Sequence, residues 1–233
     1  MHTCTDAFDC FVSRVLPKRT GSETVRLFRT LGSHVHLKPD RQLHYPDDEP
    51  TLVFLCEGAT KLVAHASDHR EQVLAFHFTG DLLTLPAHGA HSYTLEALVE
   101  CDLMTFPYAQ FLQAAEKHQQ VLTKLLERST VSLQRSREKT LTLGRKSALE
   151  RVSSFLLSMA ERIGRGEGSE VKLDLPMSRK DIADSLGLTI ETVSRQFTLL
   201  RDQGLIRTQG RSGVTLLRVD ELDRRAGHLR VAA

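Results

Sequence analysis

The sequence predicts an α+β chain: an antiparallel β-roll in the first half, one long helix in the middle, and a helical domain closed by a short hairpin at the end. Three observations carry this. Short apolar runs broken by Pro, Gly and Asp fill residues 33–106. No Gly or Pro interrupts residues 108–143. After residue 145 the helical period continues in shorter pieces, with turns and a strand-turn-strand pattern between them. A length of 233 residues suits one or two domains. With 40% hydrophobic and 26% charged residues the composition is globular rather than disordered. No run reaches the roughly 18 apolar residues of a membrane-spanning helix. The opening MHTCTDAFDCF lacks the basic stretch and apolar core of a secretory signal. A cytoplasmic protein with no membrane partner is therefore expected.

Residues 1–20 read as a polar N-terminal arm bearing two of the four cysteines. Ser22 suits the cap of a short amphipathic helix through Val25, Leu27, Phe28 and Leu31. The β-roll domain spans 21–107. Its strands include LVFLC (52–56), TKLVAH (60–65), QVLAFHF (72–78) and DLMTF (102–106), separated by turns such as Pro39-Asp40, Glu57-Gly58 and Gly80-Asp81. A helical region follows over 108–144, with a boundary near Lys117-His118. Val121, Leu122, Leu125, Leu126, Leu133, Leu141 and Leu143 fall near one stripe. A stripe that long needs cover, most simply from the same helix in a second subunit, so a homodimer is expected. Packing on the chain's own sheet is the plainer reading, and Ser129, Ser132 and Ser136 make the middle of the stripe polar. The last domain, 145–233, starts with a helix over 146–162 that carries Leu149, Val152, Phe155, Leu156 and Met159 on one side. Val171, Leu173 and Leu175 then alternate as a strand.

Charge is unevenly spread. From Arg145 onward there are 16 Lys and Arg against 12 Asp and Glu, and before it 15 against 17. The last domain is therefore the candidate for nucleic-acid contact. Within it, residues 177–206 read MSRKDIADSLGLTIETVSRQFTLLRDQGLI. Ser178 and Asp181 have capping-box spacing for a helix over 179–186. Gly187 permits the left-handed turn that ends it, and Thr189 caps a second helix whose apolar positions are Val193, Phe197, Leu199 and Leu200. Two such helices joined by a short Gly-containing turn make a helix-turn-helix, whose second helix reads base edges. Glu191, Ser194 and Arg195, at i, i+3 and i+4, share one face. An Arg guanidinium matches guanine O6 and N7, a carboxylate accepts from the cytosine amino group, and Ser serves either kind of base. Glu191 and Arg195 also satisfy the spacing of an ordinary helix ion pair. Arg179, Thr189, Thr192 and Arg211 suit phosphate contacts, which position without specifying sequence. Residues 205–208 and 214–217 flank Arg211-Ser212-Gly213 as a hairpin with a basic tip, completing a winged helix-turn-helix.

The order β-roll, long helix, winged helix-turn-helix, together with ETVSRQFTLLRDQGLI, FLCEGATKLV, EQVLAFHFTGDLL (71–83) and ALERVSSFL (148–156), resembles the CRP/FNR superfamily of bacterial transcription regulators. The Glu191-x-x-Ser194-Arg195 combination is similar to the FNR branch, which includes FixK-type proteins. The resemblance implies a cyclic-nucleotide-binding-like jelly roll, a long dimerisation helix, and an activator rather than an enzyme. It also implies double-stranded DNA with TTGAT-type half-sites in an inverted repeat, an oxygen- or redox-linked regulon, and RNA polymerase as a partner through the loop around residues 77–85. In that scheme Arg195 reads guanine and Glu191 the facing strand. No nucleophile elbow, phosphate loop or HExxH stands against the non-enzymatic reading.

The effector is less legible. Cyclic-nucleotide receptors in this superfamily hold the ligand with Gly-Glu and Arg-Ser pairs. Here Gly80-Asp81 is partly similar, but His91-Ser92-Tyr93 supplies no arginine for the phosphate. Oxygen-sensing relatives hold an iron–sulfur cluster on four cysteines. Cys4 and Cys10 match two of the N-terminal three, and the later position falls at Met104, with Cys101 three residues earlier. In a strand, positions 101 and 104 face opposite sides. A cluster on Cys4, Cys10 and Cys101, a thiol switch, and plain burial of Cys56 and Cys101 stay open as readings of these residues. His65, His69, His77, His88 and His91 show no ligand-like spacing, so neither haem nor another metal is expected. FixK-like members often act without a bound cofactor, which is the expectation that fits best, a cyclic-nucleotide-responsive regulator and a cluster-bearing oxygen sensor being the alternatives.

Overall fold

In chain order the elements are α1 (Ala7–Val15), α2 (Ser22–Leu31), β1 (Ser33–Leu37), β2 (Thr51–Glu57), β3 (Ala59–His65), β4 (Glu71–Phe78), β5 (Leu82–Leu85), β6 (Ser92–Ala97), β7 (Cys101–Pro107), α3 (Tyr108–Ala115), α4 (Gln119–Arg145), α5 (Ala148–Ile163), β8 (Val171–Asp174), α6 (Arg179–Leu186), α7 (Ile190–Asp202), β9 (Ile206–Gln209), β10 (Gly213–Leu216) and α8 (Val219–Arg225). This computed structural model describes residues 6–18, 20–46, 48–65, 71–87, 92–166 and 170–227. Cys4, His69, His88 and His91 lie outside them. The chain divides into two compact units between Gln134 and Arg135, a point inside α4.

In the first unit β1, β7, β2 and β5 form one antiparallel sheet, and β4, β3 and β6 form another. Leu37, Val53, Leu55, Leu85, Leu95, Ala97, Cys101 and Leu103 fill the core that joins them. The other face of the first sheet carries Leu52, Phe54, Met104 and Phe106, and the helices cover it with Phe8, Phe11, Phe28, Phe111 and Val121. β2 is thus buried on both faces, which is why LVFLC reads as an unbroken apolar run instead of an alternating one. Phe11 sits at the centre of this second core. Its ring centroid is 4.7 Å from that of Phe106, 5.7 Å from Phe54, 6.1 Å from Phe28 and 6.2 Å from Phe111.

The N-terminal arm expected over residues 1–20 is, from Asp6 to Leu16, a packed element. Asp6 caps α1, its carboxylate accepting from Phe8 N at 3.2 Å, and Phe8, Cys10, Phe11, Val15 and Leu16 are buried. Phe8, Phe11, Val12 and Val15 repeat at helical spacing, a stripe that the flanking polar residues hide. Arg29 on α2 fastens it with ion pairs to Asp6 and Asp9 at 3.4 and 3.0 Å. Gly21, and not Ser22, occupies the cap position of α2, and Ser22 is the first helical residue. The helical stretch after Pro107 breaks between α3 and α4, near the expected Lys117-His118 boundary. There a His118 ring nitrogen shares a 3.0 Å hydrogen bond with the Thr24 hydroxyl. Along α4, Val121 is buried and Leu122 and Leu125 pack on the phenylalanine core, while Leu126, Val131, Leu133 and Leu141 are exposed.

In the second unit the end of α4 is followed by α5, α6, α7 and α8 and by a small sheet in the order β8-β10-β9. Val152, Leu156, Leu173, Ile182, Val193, Phe197, Leu200, Val214 and Leu216 are buried there.

Candidate nucleic-acid interface

The local sequence fixes α6 and α7 by their ends. Ser178 caps α6: its hydroxyl accepts from Asp181 N at 3.1 Å, and the Asp181 carboxylate accepts from Ser178 N at 2.9 Å. Gly187 ends the helix with φ 60°, a left-handed conformation that L side chains adopt at a cost. Thr189 then caps α7, its hydroxyl accepting from Thr192 N at 3.2 Å. The turn between the two helices is three residues long, Gly187 to Thr189.

Which face of α7 meets solvent follows from its period. Val193, Phe197 and Leu200 are buried, while Glu191, Ser194 and Arg195 are exposed together on the other side. Leu199, expected among the inward positions, is 40% exposed, because it lies about 100° around the helix from Leu200. Arg195 donates to the Thr192 hydroxyl at 3.4 Å. Among the described residues no ion pair within 4.0 Å joins Arg195 to Glu191, so the plain helix ion pair is not the arrangement adopted. The Glu191 carboxyl is held below its usual range by its own backbone N–H, by the Thr189 hydroxyl and by the charge of Arg195, despite a small opposing effect of burial. A carboxylate, a hydroxyl and a guanidinium are therefore presented side by side near the start of the helix.

The residues expected to meet phosphates are differently placed. Arg211 is exposed at the tip of the β9–β10 hairpin, where Gly210 has φ 62° and Gly213 pairs with Gln209. Thr189 and Thr192 lie at the start of α7 with their hydroxyls 3.1 Å apart. Arg179 is half-buried, its guanidinium stacked 3.7 Å from the centroid of Phe197, and burial lowers its pKa. It thus packs α6 on α7 besides carrying charge. Ile190 was not singled out from the sequence. It is 43% exposed, next to Glu191 at the first helical position. By the helical period it lies about 20° from Phe197, at the edge of the buried face, and an exposed apolar residue at the start of a reading helix is the signal that marks it, since such a side chain fits a thymine methyl.

Among the described residues, Cys10, Cys56 and Cys101 are divided between two apolar cores. Cys10 packs with Phe54, Cys56 and Met104 on one face of the first sheet, and Cys101 packs with Leu55 and Leu103 on the other. All three are buried. Their thiols donate to backbone carbonyls, Cys10 to Cys56 O at 3.7 Å, Cys56 to Ala7 O at 3.3 Å and Cys101 to Val99 O at 3.1 Å. Burial pushes the Cys101 thiol up, away from the thiolate that binds iron. With the sheet between Cys10 and Cys101, these residues do not fit one iron–sulfur cluster. The described residues hold no group of three or more His, Cys, Asp or Glu suited to a metal ion.

Residues 34–118 match the cyclic nucleotide-binding domain and residues 150–225 the Crp-like helix-turn-helix domain. The nitrogen fixation regulation protein FixK of Bradyrhizobium diazoefficiens is 36% identical over 208 residues, covering 88% of this chain and 86% of that protein. The transcriptional activatory protein AadR of Rhodopseudomonas palustris is 36% identical over 180 residues, 77% of this chain and 75% of that protein. Among solved structures, FixK2 from Bradyrhizobium japonicum superposes with a TM-score of 0.74 at 32% identity, covering 87% of this chain and 99% of that one.

Proposed function

The chain belongs to the CRP/FNR family of DNA-binding transcription regulators, in its FixK-like branch, and from that premise we propose that it is an activator that binds a TTGAT-type inverted repeat as a homodimer. The observation that carries this reading is the common exposure of Glu191, Ser194 and Arg195 on α7, with Val193, Phe197 and Leu200 anchoring the opposite face. Arg195 donates to guanine, Glu191 accepts from a cytosine amino group, and Ser194 contacts the neighbouring base. Ile190 meets a thymine methyl, and Arg211, Arg179, Thr189 and Thr192 hold phosphates. Leu126, Leu133 and Leu141, exposed on one side of α4, supply the seam for the second subunit.

RNA polymerase is the proposed partner of the turn between β4 and β5. Its shape is well held for that task. Gly80 N donates to Leu55 O at 2.7 Å, the Asp81 carboxylate accepts from Phe78 N at 2.9 Å, and the Arg128 guanidinium donates to Gly80 O. An oxygen- or redox-linked set of target genes follows from kinship with the nitrogen-fixation regulators. The regulator works without an iron–sulfur cluster, a reading supported by the separation of Cys10 from Cys101. It also works without a cyclic nucleotide, a reading supported by the lack of an arginine in His91-Ser92-Tyr93 to meet the phosphate. No helix among the described residues is long and apolar enough to cross a membrane.

Fluorescence anisotropy at physiological salt tests the reading. A duplex with two TTGAT-type half-sites should bind roughly a thousandfold or more tightly than a scrambled one. Equal affinity for both contradicts it.

A further inference from the structure

α4 ends and α5 begins within three residues, and Arg151 joins that junction to the helix-turn-helix. Its Nε donates to Lys146 O at 2.9 Å, Nη1 to Leu186 O at 3.0 Å and Nη2 to Leu143 O at 2.7 Å. Leu143 lies in the last turn of α4 and Leu186 is the last residue of α6. Helix C-termini leave carbonyls without intrahelical donors. At Leu143 the shortage is built in. The N–H four residues on, that of Ser147, goes instead to the Glu150 carboxylate at 2.7 Å as half of the α5 capping box. One guanidinium therefore serves the ends of two helices, where the helix dipoles favour a cation. Its planar fork of five donors meets three acceptors in fixed directions, which the single ammonium of a lysine does not.

The consequence reaches the reading helix. α6 packs directly on α7, with Arg179 stacked on Phe197. Whatever fixes α6 against the last turn of α4 therefore also fixes α7. We propose that Arg151 is a positioning residue for DNA reading: it sets the angle between the end of α4 and the α6–α7 pair, and so the half-site spacing that a dimer accepts. This rests on the dimeric, inverted-repeat reading given above. In such a dimer the separation of the two α7 helices follows from how each is carried on its α4, and one base pair of extra spacing rotates a half-site by about 34° around the duplex.

The test measures binding of full-length wild type, R151Q and R151K to fluorescent duplexes. These carry two TTGAT-type half-sites at normal spacing, at spacings one or two base pairs longer or shorter, or a single half-site. The wild type should prefer one spacing by at least about tenfold. Both variants should lose roughly tenfold at that spacing and little elsewhere, so that the preference narrows towards equality. Binding to the single half-site should stay within about twofold of wild type. R151K keeps the charge and the aliphatic stem, so it carries the test should R151Q melt early. A folded variant that keeps the wild-type spacing preference overturns the proposal. So does an equal loss on every duplex, the single half-site included, which is the mark of a merely structural role. A wild type that treats every spacing like a single half-site overturns the dimeric reading first, and the proposal with it.

Discussion

The α6–α7 pair and the N-terminal helix with its sheet obtain their geometry in opposite ways. In α6–α7 each boundary is set by residues within four positions of one another: Ser178 with Asp181, Gly187 by its own φ, and Thr189 with Thr192. Around α1 the partners are distant in sequence. Phe11 meets Phe54 and Phe106, and the Cys56 thiol donates to Ala7 O. The reading surface is a local device that works by exposing polar groups. The first unit is a long-range assembly that works by burying apolar ones, Cys10, Cys56 and Cys101 included.

Four expectations probe that contrast. Phe11→Ala should destabilise the protein by about 3–5 kcal/mol in equilibrium denaturant unfolding, because the vacated space is lined by rings that cannot close over it. A cost below about 1 kcal/mol would return α1 to the status of a loose arm. Gly187→Ala should cost roughly 1–2 kcal/mol in thermal unfolding, the strain of a Cβ at φ 60°. An unchanged melt would mean that the turn between α6 and α7 tolerates another conformation.

Ile190→Ala should weaken specific binding by about 1 kcal/mol, and replacing one thymine by uracil in each half-site should weaken wild-type binding alike. The two losses should not add. Full additivity would remove Ile190 from the base contacts. Asp102→Asn should have the smallest effect. Burial pushes the Asp102 carboxyl up, but hydrogen bonds from His34 and His36 outweigh it and leave the value lowered. A lowered value contributes stability above the unfolded carboxyl's pKa, and that stability is lost as pH falls through the folded one. Asp102 is 37% exposed, so the contribution is below about 1 kcal/mol. The variant should flatten the acid side of the stability profile slightly; a steeper acid side contradicts the sign.

The same contrast decides what was legible in the sequence. The helix-turn-helix was, because caps, a left-handed glycine and a 3.6-residue period are all written within a few positions. The hairpin tip at Arg211 and the break near His118 were legible for the same reason. α1 was not, since its apolar stripe of Phe8, Phe11, Val12 and Val15 is short and acquires meaning only against phenylalanines 40 to 100 residues away. The fate of the cysteines depends on which face of β7 each packs against. Alternation separated position 101 from 104, but nothing local placed Cys10 on the Met104 side. Arg151 escaped notice because its three acceptors are main-chain carbonyls, which leave no mark on residue type.

Arg195 is proposed to read one guanine in each half-site. Affinities of wild type and Arg195→Ala for a set of inverted repeats, each with one symmetric base-pair substitution, test it directly. The variant should lose about 1–3 kcal/mol on the parent repeat, become indifferent to substitution at one G·C position, and keep wild-type discrimination at every other. A uniform loss across the whole set, with discrimination at that position retained, would remove Arg195 from base reading.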